Sequence, residues 1–191
     1  MLRVSREDLR PARAYIREMH AKIIPALVCV AFVAMNTSAA GDRAIESVFF
    51  VAKTENRNQV HYGVRVDDAC VPLGEAPVFA EWRMFEEGPN ARAPMLSREQ
   101  RLYGLGTQTV IRRADGGAVV TTLRAVSSRP ITVETSRDRR GVCVAKAVTR
   151  IDGAAATLSS VFVVLRGFGV DAIVLSGRRD GGTVASERIE R

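Results

Sequence analysis

Between Val48 and Ile189 the chain is written in short apolar runs rich in Val, Ile, Thr and Phe, with turn-forming residues between them. Runs of this length suit strands better than helices, and turn signals spaced roughly eight to twelve residues apart mark an all-β sandwich or barrel. The strands read as Val48–Lys53, Gln59–Val66, Val78–Phe85, Thr107–Arg113, Ala118–Val126, Ile131–Thr135, Val142–Thr149, Ala156–Leu165, Ala172–Ser176 and Thr183–Ile189. Asp115-Gly116, Asp152-Gly153 and Asp180-Gly181 fall between such runs, and these pairs suit tight hairpins because Gly, and to a lesser degree Asp, tolerates positive φ. The expected fold is all-β, mainly antiparallel, a sandwich or open barrel of about eight to ten strands. One short helix is expected over Ser97–Tyr103, with Ser97 as cap, Gln100 completing a capping box and Gly104 closing in the left-handed conformation.

The first forty residues follow another grammar. Ile23–Met35 is an uncharged apolar run, preceded by Arg10, Arg13, Arg17 and Lys22 and followed by Asn36-Thr37-Ser38-Ala39-Ala40. Basic, then apolar, then small residues is the order of a secretory signal peptide, and the run falls short of the about 18 to 20 apolar residues of a membrane span. The reading is a leader over 1–40, with Met19 an alternative start, and a single β-rich domain over 41–191, periplasmic or extracellular. A buried core helix and a retained anchor are the competing readings of the same run. The leader holds six of the 28 basic and three of the 21 acidic residues, so the net charge falls from +7 to +4 beyond it. Arg137-Asp138-Arg139-Arg140 and Arg178-Arg179-Asp180 are broken by Asp at turn-like positions and read as solvated hairpin tips, so nucleic acid is not an expected partner.

Scarcity of Cys and His limits the chemistry. The chain holds three Cys and two His, and beyond residue 40 only Cys70, Cys143 and His61 remain. Cys70 and Cys143 are the pair available for a disulfide in an oxidising compartment; the alternative is a free buried thiol at Cys143 with Cys70 apart in a loop. One histidine excludes a two-histidine zinc site and the usual structural zinc modules within the domain. Gly104-Leu105-Gly106 lacks the further Gly and the following helix of a dinucleotide fingerprint. No metal and no cofactor are expected. Glu81, Glu86, Glu87 and Glu99 surround Trp82 and the helix in sequence, so a carboxylate pair stays open as a hydrolytic centre, with solvated glutamates as the plainer account.

Phe50 to Tyr62, with Asn56 and Asn58 flanking Arg57, resembles the opening block of a family of exported bacterial proteins, domain of unknown function 4833. Pro77-Val78, Trp82-Arg83-Met84 and Glu86-Glu87-Gly88 resemble its second block, Leu96–Gly104 its third, and Gly177 to Ile189 its closing hairpin. The chain departs from the pattern at Thr54-Glu55, where Ser-Lys is commoner, and at Leu102 before Tyr103. The resemblance implies an exported, single-domain, β-rich protein without an established activity, and it singles out Asn56, Asn58, Tyr62, Glu86 and Gly104.

Three functional classes follow. The leading expectation is a non-catalytic domain that binds a small molecule or an envelope protein, with Trp82, Glu99, Arg101 and Tyr103 lining a concavity. Trp82 itself reads first as a core anchor, and a binding platform at a barrel mouth is its functional alternative. The second is an envelope hydrolase using Glu86 and Glu99, with His61 at hand, which requires the two carboxyls within about 5 to 10 Å. The third is a structural or partner-binding surface protein, which an exposed apolar patch or sheet edge would mark.

Overall fold

Alternation of side chains builds the core strand by strand. In β2 (Asn56–Val66) residues Val60, Tyr62, Val64 and Val66 are fully buried, whereas Gln59 and His61 face the other way. The structure, a computed structural model, describes residues 41–54, 56–167 and 169–191. The leader assigned to 1–40 lies outside the described residues. Among them no helix is long and apolar enough to cross a membrane.

The remaining strands are β1 (Arg43–Lys53), β3 (Val78–Arg83), β4 (Arg92–Ala93), β5 (Thr109–Arg113), β6 (Gly116–Thr122), β7 (Pro130–Arg137), β8 (Cys143–Ile151), β9 (Ala154–Arg166), β10 (Gly169–Arg178) and β11 (Val184–Glu190). Helix α1 (Ser97–Tyr103) joins β4 to β5, and a short 3-10 turn occupies Arg124–Val126. The main path of the sheet runs β4-β3-β2-β1-β9-β8-β7-β6-β5, with β10 on β9 and β11 on β10, and it does not close into a barrel. All-β with one short helix is therefore the architecture. Its pairings are antiparallel except β1 with β9, which run parallel from Phe50↔Ser160 to Lys53↔Val163.

Strand β9 organises this arrangement. Its first half pairs with β8 through Ala154–Leu158, its second half pairs with β1 through Ser160–Val163, and β10 follows its opposite edge from Thr157 to Arg166. One 13-residue strand thus ties the β1–β4 half to the β5–β8 half. Phe49, Tyr62 and Trp82 from the first half share a continuous core with Val119, Val133 and Ile151 from the second.

Turn chemistry accounts for some connections and corrects others. Asp152 and Gly153 both hold positive φ, 52° and 73°, between the paired residues Ile151 and Ala154, as a two-residue hairpin requires. At β5–β6 the intervening residues are Ala114 and Asp115; Gly116 itself begins β6, where a Cβ would lie 2.2 Å from the Thr135 carbonyl oxygen. The expected left-handed Gly104 is extended instead, with φ −67° and ψ 159°. Its need for Gly is steric, since a Cβ would stand 2.2 Å from the Gln100 carbonyl oxygen. Ser97 does not cap α1 either: Leu96 holds the cap position, and Glu99 accepts the Leu96 N–H at 2.8 Å.

The Cys70 and Cys143 sulfurs are bonded, with Cα atoms 5.4 Å apart, and the bridge ties the loop after β2 to the start of β8. Asp67 shapes that loop by accepting the N–H groups of Ala69 and Val71 at 2.8 Å each, and Cys70 itself sits at φ 65°.

Candidate functional site

A cavity of about 300 Å³ opens where the β1–β2 hairpin, β3, β4 and the start of α1 meet. Its walls are Lys53, Asn56 and Asn58 from the hairpin, Trp82 and Met84 from β3 and the residues after it, Ala93 and Pro94 around β4, and Leu96 and Glu99 at the helix. The apolar residues form one continuous wall because Trp82 pairs with Ala93 across β3–β4.

Each polar residue is fixed by a local bond. The Asn56 side-chain oxygen accepts the Asn58 N–H at 3.2 Å, a turn closure that asparagine makes readily. Asn58, 7% exposed, uses its own side-chain oxygen to accept the Glu86 N–H at 3.1 Å. Glu86 answers with its carboxylate on the Arg57 N–H at 3.4 Å, so the hairpin and the turn after β3 are held together from both sides. Trp82 donates its indole N–H to Glu99 Oε2 at 2.8 Å, and the same oxygen takes the Leu96 N–H. The Lys53 ammonium lies 5.7 Å from the Trp82 ring centroid, within cation–π range.

Beneath the cavity is an aromatic stack. Tyr103 meets the Trp82 ring edge-on at 5.5 Å, and its carbonyl accepts the Tyr62 hydroxyl at 2.5 Å. Phe49 stacks on Tyr62 at 4.4 Å. Burial raises the Tyr62 phenol well above its ordinary value, with Tyr103 adding to the effect, so the hydroxyl stays protonated and donates.

Of the four residues expected to line a concavity, Trp82 and Glu99 do so. Tyr103 is buried under the Trp82 ring and serves as its support, and Arg101 is exposed on α1 away from the cavity lining. Lys53, Met84, Ala93, Pro94 and Leu96 were not singled out by the sequence; the two-residue spacing of Trp82 and Met84 was the one signal available. The five residues marked by family resemblance gather around this corner: Asn56 and Asn58 in the wall, Glu86 behind Asn58, Tyr62 and Gly104 at either side of the Tyr103 support.

Glu99 lines the cavity, whereas Glu86 is exposed, spends its carboxylate on Arg57 and does not line it. His61 points out of the opposite face of β2, since it pairs with Glu81 whereas its inward neighbour Val60 pairs with Trp82. There His61 Nδ1 meets Ser47 Oγ at 2.8 Å and Nε2 meets Gln59 Oε1 at 3.0 Å, contacts that the Nε2–H tautomer satisfies. Burial lowers the His61 pKa from its ordinary value, and the positive charges of Arg83 and Arg92 lower it further. The same outer face carries Glu46, whose bonds from Arg92 and Arg83 hold its carboxyl down to about 2. Among the described residues no group of three or more His, Cys, Asp or Glu is placed to hold a metal ion.

The model of the family described as domain of unknown function (DUF4833) matches residues 49–186, a span that takes in the cavity, its aromatic support and the disulfide. The chain belongs to the DUF4833 family. No curated protein and no solved structure matches it. The family span begins at Phe49, the ring that stacks on Tyr62, and ends at Ser186 in β11.

Proposed function

We propose that this DUF4833 domain is an exported, non-catalytic binding module whose cavity at Trp82 and Glu99 takes a small organic molecule. The observation that carries the reading is the composition of that cavity: an apolar wall of Trp82, Met84, Ala93, Pro94 and Leu96 facing convergent Asn56, Asn58, Lys53 and Glu99. An apolar enclosure with a few fixed polar groups is the usual form of a small-molecule site. Export is supported by the order of residues in 1–40 and by the Cys70–Cys143 bridge, a bond at home in oxidising compartments.

Trp82 is the only tryptophan in the chain, so its emission reports on the cavity alone. Protein unfolded, dialysed and refolded is titrated with a small-molecule extract of the cells and medium that yield it. The reading expects the emission to shift in the wild type and to stay unchanged in Ala93→Phe, which fills the cavity beside Trp82. An extract without effect on the wild type, or with equal effect on both proteins, counts against it. For export, the expected outcome is protein outside the cytoplasm whose N-terminus is Gly41; intact protein retained in the cytoplasm contradicts it.

A further inference from the structure

Beyond the binding reading, and on the other face of the sheet, we infer a nucleophilic serine. Ser47 takes one acyl group from an activated ester, His61 is its base, and Gln59 positions the imidazole. The local chain makes the pair. Ile45 stands opposite Val64 and Phe49 opposite Tyr62, so Glu46, Ser47 and Val48 bulge against Gly63 alone. A Cβ on Gly63 would lie 2.5 Å from the Ile45 carbonyl oxygen, so glycine admits the bulge. Strict alternation from the buried Phe49 would turn Ser47 inward. The bulge turns it out onto His61, the re-aiming that such irregularities perform beside reactive sites. Ser47 is exposed there, within reach of a reagent.

The imidazole is held on four sides. The Ser47 hydroxyl donates to Nδ1 at 2.8 Å, and the Nε2–H donates to Gln59 Oε1 at 3.0 Å. The Phe50 ring stacks on it at 5.5 Å, and the Phe85 ring meets it edge-on at 6.1 Å. A carbonyl oxygen at Nε2 keeps the hydrogen there, which leaves the Nδ1 lone pair for the serine. Nucleophile, base and a third group orienting the base are the parts that activate a serine. The charged groups around the ring are Glu46 on β1, Glu81 and Arg83 on β3 and Arg92 on β4, joined to one another by ion pairs. Burial first, then Arg83 and Arg92, hold the His61 pKa below 6.5, so the base form is the one present at about pH 7. A hollow of about 350 Å³, lined by Arg57, Gln59 and Phe85, adjoins the imidazole and gives an acyl chain the Phe85 ring to lie on. In the reaction Ser47 Oγ bonds the acyl carbon as its proton passes to Nδ1. The bond to the leaving oxygen then breaks with its electron pair, and the imidazolium gives the proton to the departing group or to water. The product is an acyl-serine, one per chain, and no turnover is implied.

The test treats the full chain with p-nitrophenyl acetate from about pH 5 to about pH 8, where lysine stays protonated, and maps the acetyl groups by peptide mass spectrometry. Ser136 on β7 and Ser186 on β11 are exposed and serve as references within the same molecule. Ser47 is expected to be acetylated about a hundredfold faster than either, the low end of general-base assistance. Its rate is expected to rise with pH through a midpoint below 6.5, as the imidazole loses its proton. His61→Gln keeps an acceptor for the Ser47 hydroxyl but no base, and is expected to bring Ser47 down to the reference rate. Gln59→Glu sets a carboxylate at Nε2 and is expected to move the midpoint upward, a shift that a merely structural contact would not give. Where His61→Gln fails to fold, as judged by its thermal transition, the reference serines and Gln59→Glu decide. Ser47 reacting no faster than Ser136 and Ser186, or as fast in His61→Gln as in the wild type, overturns the nucleophile. An unmoved midpoint in Gln59→Glu overturns the part given to Gln59. None of these results bears on the Trp82 cavity, whose own titration stands apart.

Discussion

Tyr62 shows how a single residue serves both core and site. Its ring is held against Phe49, and its hydroxyl reaches past the core to the Tyr103 carbonyl, which lies under the Trp82 ring. Tyr62→Phe removes that buried hydrogen bond, a loss on the order of 1 kcal/mol. Urea unfolding is expected to show an earlier midpoint at an unchanged slope, and a midpoint equal to the wild type would deny the bond its role. Acid acts through Glu46. Its folded pKa, about 2, lies below the ordinary 4.5, so its contribution to stability is full above the ordinary value and is lost as pH falls through the interval between them. Melting temperature is expected to drop across that interval less steeply in Glu46→Gln than in the wild type. His61 has the same sign, its lowered pKa favouring the neutral imidazole in the fold. Its ring resonances should titrate below the ordinary 6.5, and a midpoint above that value would mean that neither burial nor the Arg83 and Arg92 charges govern the ring. Asn56 and Asn58 were legible from turn chemistry alone, because an asparagine side chain bonds nearby backbone wherever it falls. Lys53 was not, because nothing local tells a lysine at a strand end that an indole will lie within range.

Helix α1 is the element on which the site depends. Seven residues are too few for a helix to stand alone, and this one is held by Glu99 bonding its own first turn and Trp82, and by Tyr103 packed at its end. Gly104→Ala would press a Cβ against the Gln100 carbonyl and push the last turn away from Trp82. A cost of about 1 to 3 kcal/mol is expected, with a moved Trp82 indole N–H resonance; an unmoved resonance would separate the helix end from the cavity. The boundaries of α1 were legible in the run Ser97 to Tyr103, yet its capping was not. Ser97 and Gln100 fit the capping pattern, whereas Leu96 offers no side-chain acceptor, and the Trp82 N–H that draws Glu99 to its place comes from another element. Strand β4 was invisible for a related reason: two residues, Arg92 and Ala93, carry no periodicity, and only their pairing with β3 makes them a strand.

Among the described residues, the triple pairing of β9 and the Cys70–Cys143 bridge tie distant parts of the chain together. The bridge closes a loop 73 residues apart in sequence and links the loop after β2 to β8. Replacing both cysteines with Ser is expected to lower unfolding free energy by about 2 to 4 kcal/mol, read by denaturant titration against the oxidised wild type. An equal midpoint would mean that β9 alone sets the register of the two halves. Alternating residues disclosed the strands and turn residues several of the hairpins, since both are local properties. The parallel pairing of β1 with β9 was not legible, because Phe50–Lys53 and Ser160–Val163 are ordinary apolar runs that would pair with many partners. The cavity was half legible for the same reason: Trp82 and Glu99 belong to neighbouring segments, but the wall that makes them a site is assembled from four elements. That this wall encloses a small molecule is the central claim, and native mass spectrometry of the protein as isolated, without refolding, tests it most directly. The account predicts a second species heavier than the polypeptide by one small-molecule mass, absent under denaturing conditions and absent from Ala93→Phe; a native mass equal to the bare polypeptide in the wild type, or the same adduct on the filled variant, would contradict it.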